Sequence, residues 1–357
     1  MSTGQFALAT GIKLFMIVFF AFNMGALLTW NDRRQGALMQ DRVGPNRAVL
    51  KIGKLEFRVL GLLHTAADGL KFFTKENFVP PNADKLLYGL APILALAPVI
   101  ALTAVIPMTD TLCLESAMQV APRAGAICTE GIAGAVAPLD VGILFVFAIA
   151  GQGVVSAAIA GWASDNKFSL MGGLRAASQM VSYEVAIGLS LVGAFMTYGT
   201  VRIEEMVRWQ GENAWGIFVQ PLGFVLFFVS AVAETKRIPF DLPEAESELV
   251  AGYMTEYAGM KFGMFYFAEY MEVVTSSMLL VVIFLGGWQL PFLHPDGITL
   301  SFGDTMLFQQ QLPHAAMIGL GVAVFFGKTI AMCIFQAFIR WSLPRFRYDQ
   351  LMRLGWK

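Results

Sequence analysis

The stretch Gly263-Met264-Phe265-Tyr266-Phe267-Ala268-Glu269-Tyr270-Met271-Glu272-Val273-Val274-Thr275-Ser276-Ser277-Met278-Leu279-Leu280-Val281-Val282-Ile283-Phe284-Leu285-Gly286-Gly287-Trp288-Gln289 spans the width of a bilayer with only two carboxylates. A helix needs about 20 apolar residues to cross a hydrocarbon core of roughly 30 Å, whereas barrel strands alternate in segments of about ten. The run therefore reads as a transmembrane helix. Glu269 and Glu272 are three residues apart and share one face of it. Two neighbouring carboxylates raise one pKa of the pair, which suits proton exchange.

Outward from this run, six further stretches qualify, at about 12–30, 86–107, 140–163, 177–199, 216–234 and 314–340. The chain of 357 residues is 56% hydrophobic and 14% charged, with a mean hydropathy of +0.61. A soluble globular protein is excluded. The expected fold is all-α, a polytopic transmembrane helix bundle forming a single domain over 1–357. The first span has no small-residue cleavage site and passes directly into Trp30-Asn31-Asp32-Arg33-Arg34, so it reads as a retained helix and not as a removed signal peptide. No internal repeat or low-complexity linker stands out.

A net charge of −1 offers no basic field for nucleic acid, so only the placement of charges informs. Segments 31–85, 164–176, 235–262 and 340–357 hold ten, two, three and five of the 25 Lys and Arg, while the opposite loops hold only Arg123, Arg202 and Arg208. The bias places the N-terminus outside, the C-terminus in the cytoplasm, and 31–85 and 235–262 as the large cytoplasmic loops. With three Cys in total, a disulfide scaffold and a cysteine-ligated iron–sulfur protein are both disfavoured. Cys113 and Cys128 share the longest outer loop, 108–139. In an oxidising periplasm they form either a disulfide, contributing about 3 kcal/mol, or two free thiols.

Ionisable groups inside spans are expensive and mark function by default. Besides Glu269 and Glu272 they are Glu184 and Lys328, and Glu234 stands where the fifth span ends. Glu184 lies close enough to its span's end for snorkelling to compete with burial, and Lys328 has the same alternative. The densest chemistry is in Glu234-Thr235-Lys236-Arg237-Ile238-Pro239-Phe240-Asp241-Leu242-Pro243-Glu244-Ala245-Glu246-Ser247-Glu248-Leu249-Val250, followed by Glu256-Tyr257. Its prolines hold the backbone out of a helix up to Pro243, where a first turn suits Glu244 and Glu246. A solvated acidic loop explains the acids but not the interleaved Pro-Phe and Leu-Val-Ala-Gly, which indicate folding against an apolar surface.

Residues 60–75 form an amphipathic pattern with His64, Asp68, Lys71 and Lys75 on one face and Leu62, Leu63, Ala66, Leu70 and Phe73 opposite. That helix is expected flat in the membrane interface or along a partner. Nucleotide loops, CxxC pairs and nucleophile elbows are absent from the sequence. His64, His294 and His314 lack metal-ligand spacing, and the 30 Phe and 19 Met read as packing surface.

Ala233 to Tyr253 with Glu256-Tyr257 closely resembles the signature loop of the H-subunit family of proton-pumping NADH:quinone oxidoreductase, respiratory complex I. Further matches keep the family's order: Gln40 to Arg47; Ala67-Asp68-Gly69-Leu70-Lys71 with Lys75-Glu76; Gly161-Trp162-Ala163-Ser164 with Arg175 and Ser182-Tyr183-Glu184; and Leu343 to Met352 ending at Gly355-Trp356-Lys357. Lys328, twelve residues before Arg340, also matches. The resemblance covers nearly the whole chain. It implies a membrane subunit of the bacterial inner membrane with no redox centre of its own. The quinone would be substrate, with FMN and iron–sulfur clusters in partner subunits. Those partners would be hydrophilic-arm subunits and small membrane subunits. By position, the resemblance implies that Arg34, Arg42, Asp68, Glu234, Arg237, Asp241, Glu244, Glu246 and Glu248 line or border a quinone chamber. Glu184 and Glu269 would continue as buried carboxylates, and Lys328 as an intramembrane cation.

Departures from the family pattern are equally specific. Asp32 replaces a usual Glu, Lys236 a usual Asn and His64 a usual Gln, while about ten residues after Arg47 are inserted, including Lys51, Lys54 and Arg58. Gly153-Val154-Val155 stands where many members have Glu-Val-Tyr, so a third-span carboxylate is either dispensable or replaced by water or another acid. The family pattern continues into one more helix, whereas this sequence ends at Lys357. The alternative function is the homologous membrane subunit of an energy-converting hydrogenase-type complex, and a third is an independent ion antiporter, which the missing repeats disfavour.

Overall fold

Apolar run length sets the helices, and the computed structural model describes residues 3–52, 55–57, 59–113, 131–243, 246–290, 293–294, 297–302, 305–311 and 313–355. In chain order these give α1 (Thr3–Met39), α2 (Leu63–Thr74), α3 (Lys85–Thr103), α4 (Gly142–Ala150), α5 (Gln152–Ala163), α6 (Lys167–Tyr198) and α7 (Ile203–Glu212). They continue with α8 (Gly216–Val219), α9 (Pro221–Glu234), α10 (Glu246–Leu249), α11 (Gly259–Phe284), α12 (His314–Ser342) and α13 (Tyr348–Gly355). Strands are confined to connections. Leu50–Ile52 pairs with Leu55–Phe57, Leu112–Cys113 pairs with Gly131–Ile132, and an antiparallel meander runs through Leu293–His294, Gly297–Phe302 and Thr305–Gln311.

Six helical segments are long and apolar enough to cross a membrane: Ala7–Met39 of α1, α3, the α4–α5 pair, α6, α11 and α12. The expected seventh, 216–234, is a shorter apolar helix, α9, of 14 residues, about 21 Å at 1.5 Å per residue. Its break has a local cause. A residue before proline avoids the α region, and Gln220, preceding Pro221, sits at φ −129°, ψ 58° between α8 and α9. The first helix runs beyond the expected 12–30 to Met39, so Asp32, Arg33 and Arg34 ride on a helix and not on a loop.

α11 lies at the centre. Of its apolar window 83% is buried, against 28–39% for the other five long segments, whose outer faces keep Phe15, Trp162, Leu189 and Met196 exposed. Small residues let α5, α6 and the loop after α10 approach closely. A Cβ on Gly161 would lie 3.1 Å from the Gly173 Cα, and one on Gly172 only 2.6 Å from the Gly252 Cα. This contact draws the segment following α9 down onto α6, where the Ser169 hydroxyl donates to the Tyr253 carbonyl at 3.2 Å. The Gln179 amide donates to the carbonyls of Ala233 and Phe240 at 2.8 and 2.7 Å. α2 is amphipathic as expected: Leu70 and Phe73 are exposed, while Phe72 packs on Phe262 and Tyr266 of α11.

Candidate functional site

Three helices and the loop after α9 converge on Asp32. This buried carboxylate accepts from the Tyr270 hydroxyl at 2.8 Å and from the Arg237 guanidinium at 3.4 Å, and it is also paired with Arg340. Arg237 stacks over the Tyr270 ring, its Cζ 4.0 Å from the centroid. A cavity of about 20 Å³ lies here, lined by Asp32, Arg237, Tyr270, Cys333, Gln336 and Arg340 among others. That is room for a single water. Arg237 Nε and Nη2 and Arg340 Nε are buried without a protein acceptor, so a water there has donors waiting.

The C-terminal segment folds back on the signature loop. Arg345 donates to Asp241 at 2.8 Å, the Phe346 amide donates to the Pro239 carbonyl at 3.0 Å, and the Phe346 and Phe240 rings stack at 5.6 Å. Burial pushes the Asp241 carboxyl up to about 6 from an ordinary 3.8, against the opposing pull of Arg345, Arg340 and Arg237. Glu256 is anchored by the Asn166 amide at 2.6 Å, and its carbonyl accepts from Tyr88 at 2.8 Å.

The expected chamber residues fall into two groups. Glu234, Arg237 and Asp241 are in the buried group. Arg34 and Arg42 are exposed at the end of α1, Arg42 donating to Gln40 at 2.7 Å, and Arg34 lies alongside Gly44. Asp68 of α2 pairs with Arg33 at 2.5 Å, and the exposed Glu248 pairs with Arg175 at 2.7 Å. Glu244 lies outside the described residues, as does the side chain of Glu246, whose backbone opens α10.

On the opposite flank of α11 sits a second acidic group. Glu269 is buried and accepts from the Tyr253 hydroxyl at 3.0 Å. Glu272 pairs with buried Lys236 at 3.5 Å, and the Lys236 ammonium lies 5.8 Å from the Tyr253 ring centroid. Lys236 reaches this place from a backbone at φ +54°, uncommon for a residue other than glycine and a signature of positions under constraint. Glu234 has Glu272, Glu184 and Lys236 as its electrostatic neighbours. Half-buried Glu184 points at the break between α4 and α5, where a Cβ on Gly151 would be 3.4 Å from its Oε1. Glu234 and Glu272 line a cavity of about 70 Å³ with Gly153, Met180, Thr235, Thr275 and an apolar wall from α3, α4, α6 and α9.

Lys328 has a different setting. Its ammonium donates to the carbonyls of Leu285, Gly287 and Gln289 at 2.6, 3.1 and 2.5 Å and lies 4.3 Å from the Trp215 ring centroid. It caps the end of α11, where the chain turns through Gly286 at φ +69°; a Cβ there would meet Trp215 Nε1 at 2.8 Å. Cys113 is disulfide-bonded, Cys333 of α12 is a free buried thiol, and Cys128 lies outside the described residues.

Tyr270, Arg340, Arg345 and Gln179 belong to these buried groups without sequence reading singling them out, and Asp32 stands out there only as a replacement for a usual Glu. Arg237 and Arg340 lie 205 and 308 positions from Asp32, so no spacing rule pairs them. Besides that replacement, Asp32 is marked by interrupting the apolar character of α1 before its basic pair. Among the described residues, no three of His, Cys, Asp and Glu converge as metal ligands.

A family model described as NADH dehydrogenase matches residues 12–357. The first of the NADH-quinone oxidoreductase H subunits of Cytophaga hutchinsonii is 41% identical over 329 residues, 92% of this chain and 86% of that protein. The H subunit of the same enzyme from Flavobacterium psychrophilum is 40% identical over 334 residues, 94% of this chain and 88% of that one. The second such H subunit from Koribacter versatilis is 40% identical over 363 aligned positions, covering 100% and 94%.

Proposed function

From the premise that this chain belongs to the NADH dehydrogenase family, as a multi-pass membrane relative of the NADH-quinone oxidoreductase H subunits, we propose that it forms much of a quinone chamber and couples quinone reduction to proton translocation. Reducing a quinone to the quinol consumes two electrons and two protons. In this reading the electrons arrive from partner subunits carrying FMN and iron–sulfur clusters, and the protons are drawn through this chain. The N-terminus faces the periplasm and the C-terminus the cytoplasm of a bacterial inner membrane.

What supports the reading is one observation: the signature loop is threaded between two buried charge groups flanking α11. Asp32, Arg237, Arg340 and Tyr270 form one, and Glu234, Lys236, Glu269 and Glu272 the other. Arg237 and Lys236 are adjacent residues, so a charge arriving at one group is felt at the other through a single turn of backbone. Buried, coupled ionisable groups of this kind register a nearby change in charge by exchanging protons. Cavities of about 20 and 70 Å³ are far smaller than the 300 Å³ or more of a ligand pocket. The headgroup therefore sits outside them, between Arg34, Arg42 and Glu248, which are exposed, with half-buried Asp68, and a partner surface. The exposed apolar face of α2, with Leu70 and Phe73, gives an isoprenoid tail its way in from the bilayer.

The test is the intact enzyme in proteoliposomes with Glu248→Gln or Arg237→Ala. Both variants are expected to lose quinone reduction and proton pumping at least tenfold while NADH oxidation by an artificial acceptor is retained. Full quinone reduction and pumping in both would contradict the reading. Copurification of a nickel–iron subunit in place of the NADH-oxidising partners would assign the chain to the hydrogenase-type alternative.

A further inference from the structure

The third span carries glycine where the break between α4 and α5 meets the buried acids. Two glycines there, Gly151 and Gly153, each leave room for a carboxylate from a different helix. Glu184 of α6 places Oε1 3.4 Å from the Cβ position of Gly151, and Glu272 of α11 places Oε1 3.9 Å from that of Gly153. The second acid thus occupies, from α11, the space that a longer side chain at position 153 would fill. The same position lines the cavity of about 70 Å³ with Glu234 and Glu272, a volume with room for several waters. Among the described residues, the charged or titratable groups facing Glu272 are Lys236 and Arg237 from the loop, Glu269 on its own helix and Glu234 at the end of α9, and Glu234 in turn neighbours Glu184 across the break. Lys236 pairs with Glu272 with its side chain only 5% exposed. A largely buried carboxylate that pairs with Lys236 and borders a cavity shared with a second carboxylate, Glu234, can change protonation state. A purely structural pair is instead closed in on every side.

We propose that Glu272, held by Lys236, carries the proton path across the third-span break, taking the place of an acid at position 153. This rests on the coupling function proposed above. A proton entering from the cavity converts the Glu272 carboxylate to the acid and frees the Lys236 ammonium to pair with Glu234. Passing that proton to the Glu234 carboxylate, the neighbour of Glu184, returns Lys236 to the Glu272 carboxylate, so charge and atoms balance at every step with no co-reactant.

The experiment uses the intact complex in proteoliposomes. Glu272→Gln is expected to lower quinone-coupled proton pumping at least tenfold with the complex assembled. Adding Gly153→Glu to that variant is expected to restore at least a third of the rate, because the nearest obstacle, Met180 Cε at 3.1 Å, is the movable tip of a flexible side chain. Wild-type pumping in Glu272→Gln, or no recovery in the double variant, overturns the proposal. If Glu272→Gln does not assemble, the paired variant Lys236→Met with Glu272→Met removes both buried charges together and preserves packing. Pumping by that assembled pair also overturns it, and its loss sustains it. Glu248→Gln and Arg237→Ala measured in parallel separate the two readings. Loss there with none in the Glu272 variants defeats only this proposal, whereas no loss there defeats the coupling function itself.

Discussion

Lys328 and Lys236 both sit beside α11, away from water, and they are held in opposite ways. Lys328 is closed in by three backbone carbonyls at one end of the helix and an indole face. Lys236 faces a carboxylate that borders a cavity at the middle of the helix. Backbone carbonyls can accept the ammonium's hydrogen bonds but cannot take its proton, so the first arrangement suits a structural task. A carboxylate can, so the second has two states and can take part in transfer. An intramembrane cation is therefore functional or structural according to what its partner can exchange, not according to its depth.

The comparison would break most visibly at the Asp32 hub, which holds Arg237, the residue next to Lys236. Asp32→Asn leaves the buried Arg237 and Arg340 without their carboxylate, and breaking a buried ion pair costs about 3–5 kcal/mol. A large drop in the melting temperature of the complex is expected, together with loss of quinone reduction. A variant that is stable and fully active would show that the hub does not hold the loop.

Next in size is Lys328→Met. Losing three charge-assisted hydrogen bonds to the end of α11 is expected to cost on the order of 3 kcal/mol. The surviving complex should keep its ratio of protons pumped to quinone reduced. A changed ratio at unchanged stability would erase the distinction between the two lysines.

Much of this architecture is legible from residue order. Run length finds the spans, and the three-residue spacing of Glu269 and Glu272 puts them on one helix. The proline before α9 explains why one expected span is short, a signal present in Gln220-Pro221 but outweighed by hydropathy when the run is read whole. The Asp32 hub and the Lys328 cap are not legible, because their partners are fixed by how helices pack and not by any period along the chain. The same holds for Gly153. Its sequence records only a missing acid, and the structure brings Glu272 to the vacated space from another helix.

A smaller effect sharpens the contrast in protonation. Asp241 in the folded chain takes up its proton near 6 and in the unfolded chain near 3.8. The stability it contributes is complete below the lower value and is lost as pH rises through the higher one. Asp241→Asn does not titrate, so its thermal stability relative to the parent should rise between about pH 4 and about pH 7. A flat difference across that window would mean that Asp241 is not held in a buried, proton-retaining site.

The smallest expected change in stability is at Glu248. Its pair with Arg175 is half-exposed, and such pairs contribute roughly 0–1 kcal/mol. Glu248→Gln should leave the melting temperature nearly unchanged even where quinone reduction collapses. A large destabilisation would return Glu248 to a structural role.

The most direct test sets the two lysines side by side in proteoliposomes, measuring NADH-driven proton pumping per assembled complex for Lys236→Met and Lys328→Met. Pumping by Lys236→Met is expected to fall at least tenfold per complex, while Lys328→Met yields less complex that pumps at the parental rate. Parental pumping by Lys236→Met, or assembled Lys328→Met that reduces quinone without pumping, would contradict the assignment of transfer to the middle of α11 and support to its end.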